Sequence, residues 1–401
     1  MNWGGEINSR MRIPSSYAPG YEAARAIDSR LADDYIRHTT LGDPLADRVV
    51  EDLAATCAPG EVHALIASAL RDPFRLPDGL PDSLRELVGE VSVVPDWYDP
   101  DLAQAATRGF IRNSNIIPAA LAGAAIVEGF STLISKSFRI RGRITQNGVR
   151  RLRQNLLHLA DQYLPGGMEP GGDGWRLTLR IRLVHAQSRM LLKASDEWDA
   201  AAHGMPLSAA HIMLASTTFS ARLLQHARRL GAKFSDMEWE GYVHVWRYTA
   251  WIMGVPEALL FEDYDVARRR FEIGMLCEPI PDDDAIIMAN SIVNSAPLLL
   301  GVKDPKERRP FATFIYQVCR ELVGDELADQ FLFPPSGKVP QVPLLWLKHR
   351  LRRAALEWIP GFHKLDRSYD YMEMLDISNV GDFEQSYSLP TTLHDEASRS
   401  W

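Results

Sequence analysis

One histidine of this 401-residue sequence stands in a setting typical of a metal ligand. His185 lies in the run RIRLVHAQSR, on an otherwise apolar predicted helix, and Arg180, Arg182 and Arg189 flank it. A neutral imidazole on an apolar face can bind haem iron, and nearby guanidinium groups can pair with the two haem propionates. The ordinary alternative is a solvated helix face, and spacing alone favours that alternative for the three arginines.

Glu128 is a second candidate, because it is a lone carboxylate in a strongly apolar segment. Residues 116–134 read IIPAALAGAAIVEGFSTLI, a stretch of 19 residues. Burial disfavours the charged form of a carboxyl group, so this position predicts a raised pKa for Glu128, as acid–base catalysis requires. The alternative is that Glu128 pairs with an arginine. Pro118 and the mid-segment charge argue against a membrane span and favour a buried helix.

The familiar motifs of other enzyme classes are absent from the sequence. The loop LPGGMEPGGDG at 164–174 is rich in glycine, but it has no GK[ST] and no strand precedes it, so it predicts a turn between helices. The sequence contains no G-x-S-x-G, H-E-x-x-H or C-x-x-C pattern. Hydrolase and structural zinc functions therefore lack their usual support.

Helical patterns dominate the chain and predict an all-α fold. Runs rich in Ala, Leu, Arg and Glu are divided by Pro and Gly. The predicted helices cover residues 101–113, 119–137, 145–163, 175–194, 208–230, 236–253, 257–273, 283–295, 304–323 and 342–358. Within the fourth of these, LTLRIRL at 177–183 alternates as a strand would, but the pattern continues without a turn, which favours helix.

The two ends of the chain differ from its middle. The first hundred residues are richer in Pro, Gly and Asp and predict short helices and loops on the core. The residues after Pro360 predict a loop-rich tail, with disorder from Ser386 onward. We therefore divide the chain into an N-terminal extension (1–39), an all-helical catalytic domain (40–335) and a C-terminal helix with a loop-rich tail (336–401).

Composition limits the kinds of partner. Hydrophobic residues make up 46% and charged residues 24%, which excludes a mainly disordered chain. With a net charge of −8, the protein as a whole does not attract nucleic acid or anionic lipid. The net charge does not exclude local basic patches. Cys57, Cys277 and Cys319 are far apart and odd in number, which excludes a disulfide scaffold. With no apolar signal near the N-terminus, we expect a cytoplasmic protein without a membrane span.

The run from Phe130 to Met253 resembles the rubber-oxygenase family, also called the latex-clearing-protein or MpaB-type oxygenase family. The matching stretches are SFRIRGR (137–143), GVRRLRQN (148–155), LPGG…PGGDGW (164–175), RIRLVHAQSR (180–189), DEWDAAAHGMPLS (196–208) and GYVHVWRYTAWIMG (241–254). LCEP (276–279) and MANSIVNSAPL (288–298) look like landmarks of one bacterial branch. The resemblance covers roughly residues 40–335 and rests on the order and spacing of these stretches together.

The resemblance implies an all-α protein whose globin-like core holds a non-covalent b-type haem. The family's proximal iron ligand falls on His185. Its distal arginine falls on Arg151, while its lysine and threonine are replaced here by Gln154 and Asn155. Its catalytic glutamate has no match at the same spacing; Glu128 is the nearest, and an insertion would be needed to align it. Arg151 would then donate a hydrogen bond to dioxygen or to a propionate.

The resemblance thus implies a haem-b-dependent oxygenase that uses dioxygen on a small, apolar, unsaturated or isoprenoid-like substrate. The two distal replacements argue against cleavage of polyisoprene. The polymer is also insoluble and lies outside the cell, where a cytoplasmic enzyme would not reach it. Two other classes stay open. A haem-binding sensor or carrier would keep His185 without a substrate tunnel, and a helical interaction protein would bind no haem.

Overall fold

Helices form the regular structure of this protein. The computed structural model describes residues 11–141, 144–358, 362–378, 389–390 and 392–393, and no strand occurs among them. The all-α prediction is therefore confirmed. A globin-like arrangement of the core and the domain boundaries at 39/40 and 335/336 stay predictions.

Short helices cover the N-terminal quarter, as its composition predicts. After a 3₁₀ turn at Ser15–Tyr17, they are α1 (Ala18–Ile27), α2 (Ser29–His38), α3 (Pro44–Thr56), α4 (Pro59–Arg71) and α5 (Asp82–Ser92). Aspartates and prolines set these starts. The Asp43 carboxylate accepts a hydrogen bond from the Ala46 amide at 3.2 Å, and Pro44 occupies the first helical position, where a missing N–H costs nothing.

The central helices surround the core. They are α6 (Pro100–Arg112), α7 (Ile117–Ala120), α8 (Ile126–Gly129), α9 (Ile134–Arg141), α10 (Ile144–Gln162), α11 (Asp173–Lys193), α12 (Ala200–His203), α13 (Ala209–Thr217), α14 (Leu223–Arg229) and α15 (Asp236–Ile252). Two π-helical turns, Leu121–Ala125 and Thr218–Arg222, join α7 to α8 and α13 to α14. The C-terminal helices are α16 (Tyr264–Cys277), α17 (Asp283–Leu299), α18 (Pro305–Val323), α19 (Asp325–Gln330), α20 (Gln341–Trp358) and α21 (Phe362–Ser378).

The glycine-rich loop is the turn that reverses the chain between α10 and α11. Gly166 and Gly171 have φ angles of 74° and 87°, which L-residues with side chains rarely adopt. The alternating stretch at 177–183 lies inside α11, so the helical interpretation is confirmed. At the start of α11, Gly174 allows close packing, because a side chain there would collide with the Asp161 carbonyl of α10.

Two predicted helices differ from the structure. The helix predicted at 119–137 is interrupted after Gly129, because the Ser131 and Thr132 hydroxyls donate to the carbonyls of Glu128 (2.7 Å) and Gly129 (2.8 Å) and so compete with the helix backbone. The helix predicted to begin at residue 257 begins at Tyr264 instead. Its cap is Asp263, which accepts from the Val266 amide at 2.8 Å.

The loop-rich tail is also a wrong prediction for part of its length. Residues 362–378 form α21, which packs against α10. Tyr371, Met374, Leu375 and Ser378 recur at helical spacing and form the inward side of α21. The expected disorder from Ser386 onward falls mostly outside the described residues.

The apolar segment at 116–134 belongs to the interior. Ile117, Ala120, Ala124 and Val127 are all fully buried. In the described part of the chain, no single helix has the length and apolar character to cross a membrane; α6 and Ile117–Gly129 reach that length together, but they are bent by 89°.

Candidate functional site

An apolar cavity of about 200 Å³ lies between the central helices. Aliphatic and aromatic side chains supply most of its wall, and a few polar groups interrupt it. The residues that line it are Ile126, Gly129, Phe130, Thr132, Ile134, Phe138, Arg150, Arg151, Gln154, Asn155, His158, Ile181, Val184, His185, His211, Ile212, Leu214, Ala215, Ser216, Thr218, Phe219, Trp246, Met253 and Pro390. A concave apolar site with a few convergent polar groups is the usual form of a small-molecule site.

His185 lies on the cavity wall contributed by α11. Ile181, Val184 and His185 follow helical spacing, line the cavity and are partly exposed, whereas Leu183 and Ala186 beside them are fully buried. His185 is therefore the one imidazole that the apolar stripe of α11 presents to the cavity.

None of the three arginines around His185 lines this cavity. Arg182 and Arg189 instead line a much smaller neighbouring cavity, which shares His185 with the first. Arg182 donates from Nε and Nη2 to the Asp43 carboxylate at 2.6 and 3.0 Å, and Arg189 donates to Asp47 at 2.7 and 2.8 Å. Burial alone would raise the pKa of Asp43, but the Arg182 guanidinium outweighs burial and lowers it below its ordinary value.

Arg180 also turns away from the cavity, towards α4. Its Nη1 lies 3.3 Å from Nδ1 of His63. The three arginines are therefore neither a solvated helix face nor part of the wall of the larger cavity. All three are buried, and they hold α11 against the N-terminal helices.

This arrangement predicts a large stability effect at Asp43. Replacing Asp43 with alanine leaves the Arg182 guanidinium buried without its carboxylate, which typically costs about 3–5 kcal/mol. We expect urea unfolding to show a loss of that order. The control is Asp34→Ala, which breaks an exposed pair with Arg37 and should cost less than about 1 kcal/mol. Equal losses in the two variants would contradict this role for Asp43.

Four polar side chains on α10 line the same cavity as His185. Arg151, Gln154, Asn155 and His158 are spaced by three, one and three residues, so they lie on one helix face. The guanidinium carbon of Arg151 lies 4.5 Å from the centre of the Phe138 ring, and Asn155 Nδ2 donates to the Arg151 carbonyl at 2.8 Å. The structure thus brings the three residues matched to the distal family positions together with the matched proximal histidine.

His158 is a wall residue that sequence reasoning did not select. Its Nε2 lies 2.9 Å from the Thr178 hydroxyl, and that hydroxyl donates its own proton to the Gly174 carbonyl at 2.7 Å. The amide nitrogen Nε2 of Gln162 lies 2.9 Å from the same imidazole nitrogen, so His158 Nε2 is held between two protein groups. Burial, together with the nearby His185, lowers the pKa of His158 to about 3, so His158 is neutral at physiological pH.

His211 is a second wall residue that sequence reasoning missed. Its Nε2 lies 3.0 Å from the Tyr17 hydroxyl and 3.3 Å from Glu278 Oε1. The Tyr35 hydroxyl and the Leu133 amide donate to the two oxygens of Glu278 at 2.5 and 2.8 Å. Tyr35 and Glu278 are 243 residues apart in the chain, so no local sequence pattern predicts this cluster.

Glu128 does not line the cavity, although its neighbours Ile126 and Gly129 do. Its carboxylate accepts from Arg222 Nε at 3.1 Å and contacts His226 Nε2 at 3.0 Å. The expectation of a raised pKa is wrong. Burial alone would raise the pKa of Glu128, but His226 and Arg222 outweigh burial and lower it to about 2. Glu128 is thus a permanently charged partner in a buried cluster.

The residues present fit a haem better than a metal ion held by several protein ligands. In the described ranges, no group of three or more His, Cys, Asp or Glu side chains is placed to hold a metal ion. A porphyrin supplies the equatorial ligands itself and needs as little as one histidine. Of the three wall histidines, His158 and His211 have Nε2 engaged and are buried, while His185 is partly exposed. The apolar wall and the adjacent Arg150 and Arg151 suit a porphyrin with two propionates.

Known proteins resemble this chain in both sequence and fold. Residues 102–355 match the family model described as the ER-bound oxygenase mpaB/B'/rubber oxygenase catalytic domain. The rubber oxygenase of Streptomyces sp. (strain K30) is 30% identical over 299 residues, which cover 69% of this chain and 68% of that protein. A structure of latex clearing protein in the closed state superposes with a TM-score of 0.66 at 19% identity, over 84% of this chain and 90% of that one.

The family match spans the helices that form the cavity, from α6 to α20. It covers more than half of the chain and includes His185 and the polar face of α10. The chain therefore belongs to the MpaB and rubber-oxygenase catalytic-domain family and is an all-α oxygenase, a class of enzyme that uses dioxygen.

Proposed function

We propose that this protein is a haem-b-dependent oxygenase and that His185 binds the haem iron. The observation that carries the proposal is the position of His185: a partly exposed imidazole on an apolar cavity wall that Arg151, Gln154 and Asn155 also line. When bound, the haem supplies the one-electron chemistry that activates dioxygen. A globin-like placement of α10 and α11 around the porphyrin belongs to the same proposal.

The chain's own residues bind, orient and exclude water. Arg150 and Arg151 are the cations on the wall, so we assign them the propionates or a hydrogen bond to dioxygen, in place of Arg180, Arg182 and Arg189. Gln154 and Asn155 offer neutral amide groups to a polar atom of the substrate. Phe138, Phe219 and Trp246 are among the wall residues that keep water from the reacting atoms.

The cavity favours a small apolar substrate. Its walls are mostly aliphatic and aromatic, so the part of the cavity that a bound haem would leave open offers a substrate mainly apolar contacts. The relative named rubber oxygenase makes a polyisoprene the rival substrate. All three cysteines are free thiols, which suits a reducing compartment, and we propose that the enzyme acts in the cytoplasm.

The test is haem content followed by product formation. We expect purified protein to be coloured, to give a pyridine haemochrome and to oxidise small unsaturated isoprenoids in the presence of dioxygen. Polyisoprene latex in the same assay distinguishes the rival substrate. Protein that binds haem but oxidises neither the small isoprenoids nor the latex would favour a sensor or carrier. Protein that takes up no haem during expression or on hemin titration would favour a helical interaction protein.

The distal side gives a separate prediction. A neutral amide such as Gln154 is a poor iron ligand, whereas a deprotonated amine is a good one. We therefore expect the ferric haem protein to bind imidazole readily. Gln154→Lys should weaken imidazole binding roughly tenfold or more, the effect of about 1.4 kcal/mol of competition, and Gln154→Leu is the control. A low-spin wild-type spectrum with two nitrogen ligands, unchanged by Gln154→Ala, would contradict this prediction.

A further inference from the structure

The outward face of α20 exposes four large apolar side chains within eight residues. Leu344 is 50% exposed, Trp346 42%, Leu347 46% and Leu351 61%. A scattered apolar side chain on a surface is ordinary, but a cluster on one helix marks an interaction site. Leu344, Leu347 and Leu351 follow helical spacing and form one stripe, and Trp346 lies at the edge of the exposed half of the helix. We call the exposed half formed by these four residues the α20 face.

The opposite side of α20 is firmly attached, so the α20 face belongs to an ordered helix. Both Glu321 carboxylate oxygens accept from the first amides of α20, at 2.6 and 2.8 Å. His349 Nδ1 contacts the Leu230 carbonyl at 2.7 Å, Arg352 donates to Asp370 at 3.0 Å, and Arg353 donates to Asn113 at 3.0 Å. These contacts fix the direction in which the leucines point.

The α20 face is basic on an acidic protein. Two of the four Lys or Arg residues of 341–358 belong to this face, since Arg352 and Arg353 lie on the attached side, whereas the whole chain carries −8. Lys348 and Arg350 are exposed beside the leucines, and the Arg350 guanidinium carbon lies 5.3 Å from the centre of the Trp346 ring. Leucine and tryptophan flanked by Lys and Arg are typical of a helix that lies in the plane of a membrane interface.

We propose that the α20 face docks onto the surface of an anionic lipid bilayer. The leucines and Trp346 would enter the headgroup region, and Lys348 and Arg350 would pair with lipid phosphates. A symmetric dimer through the same face is disfavoured, because it would place these cations against their own copies. A docked bilayer could supply the enzyme with an apolar substrate, and this part of the inference rests on the proposed function. The docking itself does not depend on the proposed function.

Vesicle co-sedimentation of the full-length protein tests the docking without any activity measurement. We expect binding to phosphatidylcholine vesicles containing phosphatidylglycerol to exceed binding to pure phosphatidylcholine by roughly tenfold or more, and to weaken as salt rises. The double variant Leu347→Glu/Leu351→Glu should abolish binding, and Lys348→Glu/Arg350→Glu should remove the preference for anionic lipid. Phe74→Glu is the control, because Phe74 is 72% exposed but lies outside α20.

Equal binding to both vesicle types, or double variants that bind as the wild type does, would overturn the proposal. So would dimers in size-exclusion light scattering that disappear in the leucine double variant, because the α20 face would then bind a second copy. Circular dichroism checks that the variants keep their helices. A protein that docks but binds no haem would refute the proposed function alone, and a haem oxygenase that ignores vesicles would refute the docking alone.

Discussion

Replacing His185 with alanine should remove most of the haem from the purified protein and leave the helical fold intact. His185 lies at the cavity wall on an otherwise apolar stripe of α11, so the variant loses an iron ligand but little core packing. The apolar walls should retain some porphyrin, since each Å² of buried apolar surface contributes about 25 cal/mol. We expect haem occupancy to fall roughly tenfold or more, the Soret band to shift and oxygenase activity to disappear.

The other histidines provide the comparison. His203 contacts Ser16 and His244 accepts from the Asp99 amide, and neither lines the cavity, so their alanine variants should keep the iron spectrum. His158→Ala and His226→Ala should also leave it nearly intact. Imidazole added to His185→Gly should restore the haem spectrum. Full haem and an unchanged ferrous–CO spectrum in His185→Ala, with loss in His211→Gln, would transfer the ligand role to His211.

Acid should destabilise the protein through the Glu128 cluster. The ordinary pKa of this carboxyl is 4.5, and the fold lowers it to about 2. A lowered pKa contributes stability that is fully present above the unfolded value and is lost as pH falls from 4.5 through about 2, in total about 3 kcal/mol. His226 acts in the same direction, because burial lowers its pKa too and its contribution declines as pH falls below 6.5.

Glu128→Gln tests this contribution. The variant keeps the side-chain shape but removes the carboxylate that the half-buried Arg222 cation and His226 share. We expect a loss of about 3 kcal/mol at neutral pH and a weaker dependence of the unfolding free energy on pH below 4.5. Urea unfolding at a series of pH values measures both. The matched control is Glu86→Gln, which breaks the exposed pair with Arg48 and should change little. A variant as stable as the wild type, with the same acid slope, would contradict the charged cluster.

Local patterns determined most of the helices correctly. Capping residues are sequence-local: the box formed by Ser235 and Glu238 is present, with hydrogen bonds of 2.7 and 3.3 Å. The helix boundaries that were predicted wrongly depend on tertiary contacts, which local helix propensity does not describe. The Leu133 amide leaves the helical ladder to donate to Glu278, and α21 is stabilised by packing on α10 rather than by its own sequence.

The candidate site was predictable where it follows one helix. Arg151, Gln154 and Asn155 lie on one face of α10, and His185 lies on the apolar stripe of α11. The family resemblance grouped these four residues, because it depends on short motifs within single helices. The partners of Arg182 and Glu128 were not predictable, because Asp43 and His226 come from helices distant in the chain. An apolar neighbourhood in sequence therefore suggested a raised pKa for Glu128, whereas the charges that decide its pKa arrive only by folding.

The two π turns limit which changes in chain length the protein can accept. Leu121–Ala125 and Thr218–Arg222 lie against each other, and the second carries both Phe219 of the cavity wall and Arg222 of the Glu128 cluster. A π turn holds an extra residue, so deleting one residue there would restore a plain α-helix and displace the side chains of the turn itself, Phe219 and Arg222 among them. An insertion or deletion within the second turn would therefore disrupt the cavity wall and the Glu128 cluster together.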